Sequence, residues 1–102
     1  MKTLDVMVVR IYITESSQLL NKIISYLKTE ANIKGFTVFR AISGFGETGN
    51  HTSSLLDLSL NLPLAIEFFD QEDKVKIALE HLNETIKHEH IIFWHAKVNA
   101  LN

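Results

Sequence analysis

From Leu4 to Ile13 the chain is almost continuously apolar and rich in β-branched residues, which predicts a first strand. Leu19, Leu20, Ile23, Ile24, Leu27 and Ala31 then recur at spacings of three and four, the period of an amphipathic helix, with Ser16 or Ser17 available as N-cap and Gly35 ending the segment. Phe36 to Ile42 predicts a second strand and Leu64 to Phe69 a third. Asp70 is placed to cap a second helix that carries Val75, Ala78, Leu79, Leu82 and Ile86 on one stripe, and Ile91 to Val98 closes the pattern as a fourth strand.

The order βαββαβ predicts an α+β, ferredoxin-like sandwich, a four-stranded antiparallel sheet with two helices on one face, over a single domain spanning 1–102. A solvated second face should carry polar residues at every other position, yet Val6 to Val9 and Ile91 to Trp94 are apolar at both parities. A bare apolar sheet face exceeds what soluble monomers expose, so self-association is expected.

Composition narrows the function classes. Apolar residues make up 46% of the 102 residues, and Asp5 and Arg10 interrupt the first apolar run, so no stretch reaches the roughly 18 apolar residues of a membrane span. There is no cysteine, which excludes disulfides and thiolate chemistry and agrees with a cytoplasmic location. A net charge of -2 without a basic run speaks against nucleic-acid binding.

Candidate chemistry concentrates between Gly35 and Leu56. An apolar strand ends there in Gly44-Phe45-Gly46 and a polar stretch, and three of the chain's four glycines fall within positions 44–49. Gly44 and Gly46 can adopt the positive φ that aims backbone N–H groups at an anion, although a tight turn at a strand end uses them equally well. Together with the downstream run Leu62-Pro63-Leu64-Ala65-Ile66-Glu67, the stretch resembles the PII signalling superfamily, in particular its PII-like members. Gly35, Thr37, Val38, Gly44 to Gly46, His51, Thr52, Leu62, Pro63, Ile66 and Glu67 match its motifs in order.

The resemblance implies a homotrimer whose sheets line the inside and whose inter-subunit clefts bind nucleotides. It also implies a mobile loop from Glu47 to Leu60 that signals to a protein partner. It puts Thr37 near a bound adenine, Glu67 towards the ligand cleft and His51 at the loop base. Arg40, the only cation of its strand, is a candidate for a phosphate or carboxylate, or for a salt bridge across a subunit boundary.

Departures from the PII pattern matter as much. Glu47-Thr48-Gly49-Asn50 stands where PII proteins place basic and amide residues, and a carboxylate there repels a triphosphate. Asn83 to His90 contains no glycine where PII proteins have a Gly-rich loop with a lysine, and Asn99 to Asn102 lacks their paired arginines. ATP is therefore expected to bind weakly, and a mono- or diphosphate nucleotide or small anion is the better candidate.

Histidines 81, 88, 90 and 95 are potential metal ligands, but no HExxH or compact His-carboxylate set accompanies them, so no metal site is expected. No serine stands in a nucleophile elbow, and Glu72 with Asp73 more simply complements a helix dipole. The expectation is a non-enzymatic regulatory trimer without a resident cofactor. A CutA-like metal-responsive trimer and a dimeric ferredoxin-like barrel enzyme are the alternatives.

Overall fold

The computed structural model describes residues 1–14, 18–42, 45–46, 49–50, 63–86 and 90–100. Strand β1 (Lys2–Thr14) is followed by helix α1 (Leu19–Thr29) and β2 (Phe36–Arg40), then by the short strands β3 (Phe45–Gly46) and β4 (Gly49–Asn50). Strand β5 (Pro63–Asp70), helix α2 (Glu72–Leu82) and β6 (Ile91–Ala100) complete the order. Four strands form one antiparallel sheet in the order β2-β5-β1-β6, the expected ferredoxin-like arrangement, while among the described residues β3 and β4 pair with each other as a separate ladder.

Residues facing one another across antiparallel strands share a face of the sheet. Met7, Val9, Ile11 and Ile13 of β1 therefore point the same way as Phe68, Ile66 and Leu64 of β5, towards the helices. Ile23 and Leu27 from α1 and Val75, Leu79 and Leu82 from α2 close over them as one buried cluster. Val9, Ile11, Ile66 and Val75 are fully inaccessible, and burying each such side chain stabilises the fold by about 1.5–3 kcal/mol.

Two expected helix ends differ. Helix α1 stops at Thr29, where the N–H groups of Glu30 and Ala31 both donate to the Tyr26 carbonyl. Asn32, not Gly35, then adopts the left-handed conformation, with φ of 55°. The turn has to come this early because Ile33 is buried, its N–H donating to the Leu27 carbonyl. Gln18 occupies the N-cap position, and Ser16 and Ser17 lie outside the described residues.

Asp70 is not the cap of α2. Gln71 holds that position with extended backbone and no side-chain cap bond, while Asp70 Oδ1 accepts the Gln71 N–H at 2.8 Å. The Lys74 ammonium bridges Asp70 (3.3 Å) and the Asn32 carbonyl (2.7 Å), fastening the end of α1 to the start of α2.

Candidate functional site

The face of the sheet turned away from the helices carries the most distinctive chemistry. Thr37 of β2 faces Glu67 of β5, Glu67 faces Arg10 of β1, and Arg10 faces Ile92 of β6, so three polar side chains stand in a row across the sheet. Arg10 donates from Nε and Nη2 to Glu67 Oε1 at 3.0 and 2.6 Å. Its guanidinium also lies 5.3 Å from the ring centre of Trp94, within cation–π range. The Tyr12 hydroxyl first and the Glu67 carboxylate second hold the Arg10 guanidinium above its already high ordinary value, so it is a fixed positive charge.

Apolar rows flank this polar one. Phe39, Ala65 and Tyr12 lie on one side and Phe69, Val8 and Trp94 on the other. Phe39, Phe69 and Trp94 are 50%, 49% and 38% exposed, whereas Val8 between the last two is nearly covered by them. The second face is thus apolar and open, as the two-parity pattern implies, with one ion pair at its centre.

Of the residues singled out from the sequence, the structure brings Thr37 and Glu67 together. Arg40 faces Leu64 and stands on the helix side of β2, because a strand alternates its side chains and positions 37 and 40 differ in parity. Gly46 is part of the β3–β4 ladder, facing Gly49. Gly44, Glu47 and His51 lie outside the described residues, as does most of the expected loop from Glu47 to Leu60. Sequence reasoning passed over Arg10 as a mere interruption of the apolar run. The available signal was that Arg10 stands in the middle of one apolar strand and Glu67 is the lone charge inside another, a costly placement unless they meet.

A separate groove of about 470 Å³, lined by Asp5, Glu72, His95 and Lys97 with Val6 and Ala96, lies where α2 begins beside β1 and β6. Lys97 Nζ bonds Asp5 at 2.6 Å, and the His95 ring bonds Glu72, which also meets Lys76 at 3.5 Å. The Lys97 hydrogen bond and charge hold the Asp5 carboxyl below its ordinary value, and His95 followed by Lys76 does the same for Glu72. Each charge there has an opposite beside it. Among the described residues no three His, Cys, Asp or Glu side chains come together as metal ligands, and no helix is long and apolar enough to cross a membrane. Of the histidines considered as ligands, His81 instead stacks on Tyr26, with ring centres 3.8 Å apart, and His88 lies outside the described residues.

Residues 6–98 match the model of the family DUF190, described as an uncharacterized ACR. A UPF0166 protein of Methanocaldococcus jannaschii is 33% identical over 89 residues, 83% of this chain and 82% of that protein. A UPF0166 protein of Aquifex aeolicus is 41% identical over 54 residues, 52% of this chain and 51% of its own length, so that match spans about half of the relative. Among solved structures, CPII from Thiomonas intermedia K12 bound to ADP and bicarbonate superposes with a TM-score of 0.72 at 20% identity, covering 97% of this chain and 93% of that one. The divalent ion tolerance protein CutA1 from Ehrlichia chaffeensis superposes with a TM-score of 0.59 at 15% identity, covering 95% and 84%.

Proposed function

The chain belongs to the DUF190 family, its fold superposes on that of a PII-like protein, and from that premise we propose that it is a PII-like regulatory or sensory protein. It works in the cytoplasm as a homotrimer, binds a small ligand in the clefts between subunits, and passes the state of those clefts to a protein partner through the segment from Glu47 to Leu60. The observation that carries this reading is the open apolar sheet face, on a fold that superposes over nearly its whole length with a protein holding ADP and bicarbonate.

The ligand class is a nucleoside mono- or diphosphate or a small anion such as bicarbonate. Thr37 and Glu67, side by side next to the sheet edge formed by β2, supply polar groups to a cleft there. Arg40, Gly44, Gly46 and His51 contribute from the end of β2 and the segment after it, and Glu47 disfavours a third phosphate. The role is regulatory, not catalytic.

Calorimetry and thermal shift with ADP, AMP, bicarbonate and Mg-ATP test the reading, since a ligand of the native state raises apparent stability by mass action. The expected result is binding of ADP, AMP or bicarbonate and weak binding of Mg-ATP. Arg40→Ala should abolish that binding while leaving the oligomer mass unchanged, and amide exchange across positions 47–60 should slow when ligand binds. Silence with all four compounds would remove the ligand. A response to copper or zinc instead would favour the CutA-like alternative.

A further inference from the structure

We propose that the Arg10–Glu67 ion pair fixes the stoichiometry and register in which copies of this chain assemble through the open sheet face. The inference rests on the homo-oligomer reading above and adds a residue-level determinant to it.

A second copy of the chain is the occupant that the face fits. Among the described residues the only charges near its centre, Arg10 and Glu67, are already paired with each other, so they offer no net charge for a charged partner to complement. Four strands about 4.8 Å apart and about eight residues long span roughly 500 Å² in projection, and the standing aromatic side chains enlarge that area. This approaches the ~800 Å² per partner of a stable interface.

An apolar face alone would associate without choosing a geometry, because hydrophobic attraction is non-directional. The ion pair changes this. Its side chains are still 37% and 27% exposed in the single chain, so covering the face strips water from both. An arginine has five N–H donors, of which two are given to Glu67 Oε1, and the Tyr12 hydroxyl stands beside them. Only an arrangement that keeps these groups hydrogen-bonded avoids the penalty of a desolvated charge. Slipped or differently numbered assemblies leave some unmet. Replacing both partners by apolar residues of similar size removes the penalty from every arrangement at once.

Native mass spectrometry and sedimentation velocity on the full chain, with circular dichroism as the folding check, test this in three proteins. The wild type should give one oligomeric mass. Arg10→Met should lose that mass, because Glu67 is left as an unpaired carboxylate on the covered face. Adding Glu67→Leu to Arg10→Met should restore association, but as a mixture of masses. A double variant that assembles into the single wild-type mass overturns the inference, and so does a folded double variant that stays monomeric, since the pair would then supply affinity and not selection. A monomeric wild type overturns the homo-oligomer reading itself, a failure distinct from the other two.

Discussion

Single residues in this protein are constrained by the charges they meet, and Asp70 shows it most clearly. Burial alone would raise its carboxyl, but the Gln71 N–H and the Lys74 ammonium outweigh that and bring it below its ordinary value of 3.8. A carboxylate whose folded value is depressed binds fewer protons than the unfolded chain, so it contributes stability that is complete above the unfolded value and lost as the pH falls through the folded one. Urea midpoints should therefore drop between about pH 5 and pH 2, and Asp70→Asn should flatten the drop. Lys74→Met should flatten it too, by removing one of the groups that depress the value. Identical acid curves for wild type and Asp70→Asn would show that Asp70 carries none of the effect. Asp5 and Glu72 shift in the same direction, so the flattening is partial.

Helices and strands were legible because their apolar periods differ. Val75, Ala78, Leu79 and Leu82 are buried along α2. Ile86 is buried too but beyond the helix, which ends at Leu82 and not after Ile86 as the stripe predicts, and all four long strands stand where the apolar runs place them. Their ends were less legible, since termination depends on which residue the tertiary structure needs next. Both Asn32 and Gly35 tolerate the left-handed conformation, and only the burial of Ile33 makes Asn32 the stop. Asp70 is likewise a good cap by type, but β5 holds it one residue too early. Asn32→Val should lower stability by about 1–2 kcal/mol in urea denaturation, because a β-branched residue is poorly accommodated at positive φ, whereas Asn32→Gly should be close to neutral. Equal effects of the two changes would mean that the turn has another origin. Register was not legible at all, so the Thr37–Glu67–Arg10 row was hidden, although a motif comparison had picked out two of its three members.

At the scale of the whole molecule, the open face is the feature that a single chain leaves unresolved, and where a charge is introduced decides what it tests. Trp94→Glu would place a carboxylate under the Arg10 guanidinium, 5.3 Å from the ring it replaces, and a new ion pair would blur the result. Phe69 is cleaner: it faces Val8 on the same apolar row and is 49% exposed in the single chain. A glutamate at that position can stay hydrated while the chain is alone, so the fold should survive with an unchanged circular dichroism spectrum. Once a second copy covers the face, the same carboxylate is buried without a partner, at a cost of several kcal/mol per subunit. Phe69→Glu should therefore convert the assembly to folded monomers by sedimentation velocity, and inter-subunit ligand binding should disappear with it. Retention of the wild-type mass would show that copies meet through some other surface, and the sheet face would then need a different occupant.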